Sequence, residues 1–363
     1  MPRDQKLKKV LVDMRKITVN ASKTYDVIVE RGAIDRIGEY AVSTGINGKA
    51  CIISDSNVAP LYMERVKRSL KKSGITVCEY IFPAGESSKT ADTFIDILNF
   101  LAENHLSRKD TLFALGGGVT GDLTGFSAAT YMRGIRFVQI PTSLLAAVDS
   151  SVGGKTGIDL KSGKNLAGAF YQPEIVVFDP DVLSTLPEEY FADGMAEVIK
   201  YAVIRGRDID RLILEDTEKN LEEIITRCIE IKRDVVDEDE FEGGVRKILN
   251  FGHTAGHAIE TEADYTLSHG RCVAIGMYIV TNAWEKRGLC KKGTCDILIK
   301  MLEKYGLDTK CPYSPEIICE RAKSDKKADS TGVSLVVPTA MGECDVKKIS
   351  MDEFLTVLKD GIK

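Results

Sequence analysis

Asp110-Thr111-Leu112-Phe113-Ala114-Leu115 runs into Gly116-Gly117-Gly118-Val119-Thr120-Gly121-Asp122 and then Leu123-Thr124-Gly125-Phe126. An apolar run, a glycine turn and a helical start in that order are a strand–turn–helix unit. Gly116, Gly118 and Gly121 spell GxGxxG, a spacing that lets the backbone approach a pyrophosphate with amide N–H groups and a helix N-terminus facing it. The match alone is weak, because the same residues also make a tight turn with no ligand. The acid usually found some twenty residues on is missing, with no Asp or Glu between Asp122 and Asp149. Asp55, in Ser54-Asp55-Ser56-Asn57 at the end of an earlier apolar run, could serve the ribose instead.

Outward from this unit, further apolar runs recur at Tyr25 to Glu30, Ala50 to Ser54, Ile75 to Phe82, Phe137 to Ile140 and Ile175 to Phe178. Between them Ala59 to Lys72 and Ala91 to His105 carry apolar residues at helical spacing, so residues 1–180 read as an α/β domain with a parallel sheet. After Asp179-Pro180-Asp181 long helix-forming stretches take over, including Asp208 to Lys232 and Ala274 to Lys286. Residues 181–363 therefore read as a mainly helical domain, with a late strand at Gly332 to Pro338 and a closing helix at Met351 to Leu358. The absence of a Gly/Ser/Pro-rich linker predicts two domains packed over a shared cleft.

The 363 residues carry a net charge of −5 and no long basic run, which leaves no electrostatic footprint for nucleic acid. Residues 1–16 are charged throughout and lack an apolar h-region, and no apolar stretch is long enough to span a bilayer. The nine cysteines form no CxxC pair. A soluble, cytoplasmic protein with reduced thiols and a small ligand is the expectation.

Three of the four histidines fall in one stretch, His253, His257 and His269. His253 and His257 share a helix face at i,i+4 and His269 opens the next helix. Upstream, the helix Met195 to Ile204 is apolar on nearly every side except at Glu197 and Lys200, spaced i,i+3. Burying charge costs several kcal/mol per ion unless it is paired or bound to a metal. The pair is either a simple salt bridge or a metal carboxylate beside a lysine that faces an anion. Glu197 with two imidazoles, His253 and His269 preferred, would leave an open fourth position, as catalytic zinc requires, though spacing alone leaves open which two histidines bind.

Two motifs mislead. Asp149-Ser150-Ser151-Val152-Gly153-Gly154-Lys155-Thr156 is a Walker A pattern with Asp for the first glycine, and it follows a helix-like segment rather than a strand, so an ATPase is excluded. His253-Thr254-Ala255-Gly256-His257 lacks the second-place Glu of a zinc protease. Several cations keep unusual company: Arg133, Lys155, Lys164, Lys232 and Arg246. Lysines hemmed by glycine and asparagine in loops read as anion binders, suited to a substrate with both carboxylate and phosphate.

Taken together, Gly116 to Asp122, Tyr131-Met132-Arg133-Gly134, Pro141-Thr142-Ser143-Leu144-Leu145, Val148 to Lys155, Gly163-Lys164-Asn165, Ala196-Glu197-Val198-Ile199-Lys200-Tyr201 and Leu249-Asn250-Phe251-Gly252-His253 resemble the 3-dehydroquinate synthase family of sugar-phosphate cyclases. The resemblance covers nearly the whole chain. It implies a Rossmann-like NAD domain and a helical domain holding zinc or cobalt. It also implies conversion of 3-deoxy-D-arabino-heptulosonate 7-phosphate to 3-dehydroquinate and phosphate, in the shikimate route to aromatic amino acids. Transient oxidation by NAD, β-elimination, re-reduction and intramolecular aldol closure are the implied steps.

By the same likeness Glu197, His253 and His269 are metal ligands, and His257 is an acid/base or substrate contact. Lys232 and Arg246 would hold the carboxylate. Lys155, Asn165 and Asn250, with Arg133 from a second subunit of a homodimer, would face the phosphate, while Asp149, Lys164 and Lys200 would line the ring hydroxyls. Asp55, Glu86, Lys89, Gly117, Gly118, Asp122, Thr142 and Ser143 would contact NAD. Departures from the family pattern are Ala147, Arg271 and Glu343, and a further substrate lysine corresponds to Lys326 or Lys327. The rival readings are another sugar-phosphate cyclase, against which Asn250 and His257 weigh, and a metal-dependent polyol dehydrogenase, which would accumulate NADH. A non-catalytic metal-binding or scaffold protein would leave buried Glu197 and Lys200 without a purpose.

Overall fold

The computed structural model describes residues 14–324 and 332–362, so Lys326 and Lys327 lie outside the described residues. The chain divides into two compact units, one reaching to Leu186 and taking back Lys232–Glu240, the other comprising Pro187–Ile231 and the chain from Phe241 onward.

In the first unit, seven strands of the described residues form one sheet: β1 (Arg15–Asn20), β2 (Thr24–Val29), β3 (Ala50–Asp55), β4 (Val77–Phe82), β5 (Thr111–Gly116), β6 (Arg136–Pro141) and β9 (Ile175–Phe178). Their order is β1-β2-β9-β6-β5-β3-β4, and only β1 against β2 is antiparallel. Every residue of β5 is buried and only Asp55 of β3 is not, which is why both read as unbroken apolar runs.

The connecting helices are α1 (Ile37–Ser43), α2 (Ala59–Lys72), α3 (Ala91–Glu103) and α4 (Gly118–Thr130). Pro60 opens α2, and the Thr90 hydroxyl caps α3 by accepting from the Thr93 amide at 3.2 Å. Inward residues of α3, Ile97 and Leu101, join Cys51, Ile53, Leu112 and Phe137 in a core under the sheet, where each large side chain contributes about 1.5–3 kcal/mol by burial.

The strand order reverses direction between β3 and β5, because β4 lies beyond β3 on one side while β6 follows β5 on the other. At such a switch point the carboxyl ends of the two strands diverge and leave a crevice for a ligand. Asp55 ends β3 and Gly116 ends β5, so the glycine turn and the acid read from the sequence flank this position.

Two parts of the first unit differ from the sequence reading. The edge strand β1 is additional. Lys155 and Lys164 do not lie in loops: they belong to an antiparallel hairpin of β7 (Lys155–Leu160) and β8 (Gly163–Phe170). Its strands are glycine-rich because the backbones crowd. A Cβ at Gly168 would stand 2.1 Å from the Thr156 carbonyl oxygen, and one at Gly157 would stand 2.7 Å from that of Ala167.

The second unit is built on α5 (Glu188–Arg205), most of α6 (Ile209–Glu238, broken at Asp216), α7 (His253–Glu262), α8 (His269–Lys286), α9 (Thr294–Glu303), α10 (Pro315–Ser324) and α11 (Met351–Gly361). An antiparallel hairpin of β10 (Val333–Ala340) and β11 (Glu343–Ile349) accompanies them. The late strand expected from the sequence is β10, and β11 is its partner. Residues 194–204 of α5 are all buried, as their apolar composition requires. Among the described residues, no helix is long and apolar enough to cross a membrane.

Candidate functional site

In the second unit α7 and α8 pack closely because small residues line their contact. A Cβ on Gly252, which precedes α7 at φ 78°, would lie 2.7 Å from the Val273 carbonyl oxygen, and one on Gly276 would lie 2.0 Å from that of Gly252. This approach places His253, the first residue of α7, beside His269, the first of α8, with ring centroids 5.3 Å apart. His257, one turn further along α7, stands 5.3 Å from His253 and 5.8 Å from His269.

Glu197 of α5 points at this imidazole group. Its Oε1 lies 3.5 Å from His253 Nε2 and 3.4 Å from His269 Nε2, while the Lys200 ammonium pairs with Oε2. Glu197 and Lys200 are each 1% exposed. Both carboxylate oxygens are buried, and neither accepts a hydrogen bond of regular geometry among the described residues. The His253 Nδ1–H donates to the Phe251 carbonyl at 3.0 Å, which leaves the Nε2 lone pair directed to the Glu197 side.

These donors fit a divalent cation. One ligand atom from each of Glu197, His253 and His269 lies within 4.8 Å of the others. A tetrahedral shell with bonds of about 2.0–2.1 Å has edges of about 3.3 Å, close to both carboxylate–imidazole separations. A second group within the same limit, His257, Glu260 and His269, shares one member with the first. Burial disfavours the His269 imidazolium, yet Glu197 and Glu260 outweigh it and raise this histidine to about 10.

The residues read as NAD contacts gather in the first unit. Gly117 caps α4 in extended conformation, and a Cβ on Gly118 would come 3.2 Å from Ser150 Oγ. The Thr142 amide donates to the Gly116 carbonyl at 3.0 Å, and Ser143 Oγ accepts from the Ala146 amide at 3.2 Å, tying the end of β6 to the turn after β5. Asp55 Oδ1 accepts from the amides of Asn57 and Val58 at 2.9 and 3.0 Å. Lys89, 4% exposed, pairs with Asp122 Oδ2 at 2.6 Å and donates to Asn165 Oδ1 at 2.5 Å. Burial pushes the Asp122 carboxyl up against the pull of Lys89, whose own ammonium is raised despite burial by Asp122 and Glu86. Lys164 lies 3.8 Å from Glu86 Oε1.

Among the other predicted residues, Lys232 pairs with the Asp149 carboxylate and donates to its carbonyl, which explains why Lys232–Glu240 belongs to the first unit. Lys155 and Arg133 are exposed there, Arg133 at φ 66° in the turn after α4. In the second unit Arg246 is 1% exposed, and Asn250 donates to Glu242 Oε1 at 2.6 Å. Glu242 and Glu260 were not singled out from the sequence, although Glu260 follows His257 at helical i,i+3 spacing. The departures lie outside these groups: Ala147 is buried in a π-helical turn, Arg271 pairs with Asp308 at 3.3 Å and Glu343 is exposed on β11.

Family models described as 3-dehydroquinate synthase N-terminal and C-terminal match residues 79–193 and 194–328. The 3-dehydroquinate synthase of Lactococcus lactis subsp. cremoris (strain MG1363) is 46% identical over 354 residues, spanning 95% of this chain and 99% of that protein. That of Pelobacter propionicus is 42% identical over 355 residues, with the same coverage of 95% and 99%. A solved 2-deoxy-scyllo-inosose synthase, complexed with carbaglucose-6-phosphate, NAD+ and Co2+, is 25% identical. It superposes with a TM-score of 0.86, covering 96% of this chain and all of that one. With the family models matching consecutive stretches of the chain and relatives above two fifths identity along nearly its full length, this chain belongs to the 3-dehydroquinate synthase family.

Proposed function

We propose that the protein converts 3-deoxy-D-arabino-heptulosonate 7-phosphate to 3-dehydroquinate and phosphate, with NAD taken up by the first unit and zinc or cobalt by the second. The observation that carries this reading is the convergence of Glu197, His253 and His269 in a chain of this family. The synthase is preferred over a different sugar-phosphate cyclase because relatives bearing that name reach 46% identity, against 25% for the inosose synthase. When bound, the metal and NAD supply Lewis-acid polarisation of a substrate hydroxyl and a reversible hydride acceptor.

The chain's own residues bind and orient. Glu197, His253 and His269 hold the cation, and Lys200 neutralises the Glu197 oxygen beside it while facing a substrate hydroxyl. His257 exchanges protons with the substrate or its bound water. Lys232 and Arg246 take the carboxylate; until substrate arrives, Asp149 compensates the Lys232 charge. Lys155, Asn165 and Asn250 serve the phosphate, and Lys164 with Asp149 the ring hydroxyls. Asp55, Glu86, Lys89, Asp122, Thr142 and Ser143, with the amides of Gly117 and Gly118, hold NAD at the switch point of the sheet.

A homodimer in which exposed Arg133 reaches the phosphate site of a second copy, and a cytoplasmic location suited to nine free cysteines, complete the reading. Incubating the heptulosonate phosphate with NAD and zinc tests it. Phosphate and dehydroquinate should appear with no net NADH, and no phosphate release from folded, metal-replete protein would remove the reading.

A further inference from the structure

Among the described residues, His269 is the one residue common to the two three-residue groups that could take a cation, Glu197–His253–His269 and His257–Glu260–His269. Its two ring nitrogens face different carboxylates: Nε2 lies 3.4 Å from Glu197 Oε1 and Nδ1 lies 3.5 Å from Glu260 Oε2. We infer that Glu260 is a positioning residue that holds His269 with Nε2 towards Glu197, and so decides which of the two groups takes the metal. The inference rests on the metal reading above and adds to it a residue that the site assignment does not contain.

The backbone of His269 is fixed independently of Glu260. The preceding Ser268 hydroxyl donates to Asp193 Oδ1 at 2.5 Å, and Gly270 runs so close to Asp193 that a Cβ would stand 2.5 Å from its Cα. Packing holds the ring only in part, since a third of the side-chain surface is exposed and the His253 and His257 rings border the rest at 5.3 and 5.8 Å. Rotation by half a turn about the Cβ–Cγ bond would exchange the nitrogens for carbons at both carboxylates. A buried acceptor on the Nδ1 side selects one orientation, and Glu260, 6% exposed and anchored two turns along α7 from His253, supplies it. A carboxylate accepting Nδ1–H also fixes the tautomer whose lone pair sits on Nε2, the usual support for a metal-bound imidazole.

Cobalt titration of the full-length protein, followed by visible absorption and competition with a chelator, tests this. Glu260→Ala should weaken cobalt binding about 10–100-fold and shift the visible bands, as loss of an outer-shell carboxylate does. Glu260→Gln, whose amide oxygen still accepts Nδ1–H, should recover most of the affinity and the wild-type band positions. Wild-type affinity and unchanged bands in Glu260→Ala would overturn the inference, as would a fall in thermal stability alone with both preserved. Should neither variant fold, nitrogen-15 imidazole shifts of the wild-type zinc protein decide: protonated Nδ1 and metal-bound Nε2 on His269 are expected, and metal-bound Nδ1 contradicts them. Failure of the wild-type protein itself to take up cobalt would instead refute the metal reading.

Discussion

Glu197 and Lys200 stand one turn apart on α5, each 1% exposed, with the Lys200 ammonium paired to Glu197 Oε2 while Oε1 faces two imidazoles. One carboxylate thus serves a lysine on one oxygen and a cation site on the other. A salt bridge alone accounts for only half of this arrangement.

Removing Lys200 therefore exposes the balance. In the metal-free protein, Lys200→Met leaves a buried carboxylate without its cation and should cost about 3–5 kcal/mol of stability. Zinc should restore more stability to this variant than to the wild type, since it supplies the missing positive charge. Denaturant unfolding with and without zinc measures both; equal zinc effects in the two proteins would show that Glu197 is not a ligand.

His269→Ala should abolish metal retention through dialysis, a larger effect than the roughly 10–100-fold expected of an outer-shell change. His257→Ala should retain the metal and lose turnover. Metal analysis after dialysis separates the two: loss of metal from His257→Ala as well would reassign the ligand set to His257, Glu260 and His269, and retention by His269→Ala would rule out both groups.

Metal uptake should release a proton. His269 is raised to about 10 in the metal-free protein, so at pH 7–9 its imidazole is mostly protonated and must lose that proton to bind. Affinity then strengthens as pH rises through this window, by up to about tenfold per unit. The same shift stabilises the metal-free fold fully below the unfolded pKa of about 6.5, and that contribution is lost as pH rises through about 10. Calorimetric titration in buffers of different ionisation enthalpy counts the proton, and none released at pH 8 would contradict the account.

Two glycines of α4 should respond differently to alanine. In Gly125→Ala the new Cβ would stand 2.3 Å from Thr156 Cγ2, where α4 packs on β7, so stability should fall by about 1–3 kcal/mol. In Gly118→Ala the nearest atom to the Cβ is Ser150 Oγ at 3.2 Å, a side-chain end that can give way, so the fold should survive while NAD affinity falls at least several-fold as the methyl enters the pyrophosphate approach. Thermal melts and fluorescence titration with NAD read the two effects; unchanged NAD binding in Gly118→Ala would move the dinucleotide elsewhere.

The sheet was legible where strands are buried on both faces. β3, β5 and β9 read as unbroken apolar runs because parallel strands covered by helices have no polar side. The edge strand β1 escaped because Arg15, Lys16 and Asn20 face solvent, and β7 and β8 escaped because their close approach demands glycine, which reads as turn. The imidazole pair and buried Glu197 were legible from residue type and period alone. Their carboxylate partners were not, because whether Glu260 faces His269 depends on how α7 packs on α8. Nor does the break in α6 at Asp216, or the return of Lys232–Glu240 to the first unit, leave a trace in the helical period.

The central claim, one cation shared by Glu197, His253 and His269, is tested most directly by diffraction from zinc-loaded crystals at the zinc absorption edge. A single anomalous peak about 2.0–2.2 Å from a Glu197 oxygen and from Nε2 of both histidines is predicted. A peak bound by His257 and Glu260 instead, or none near Glu197, would contradict it.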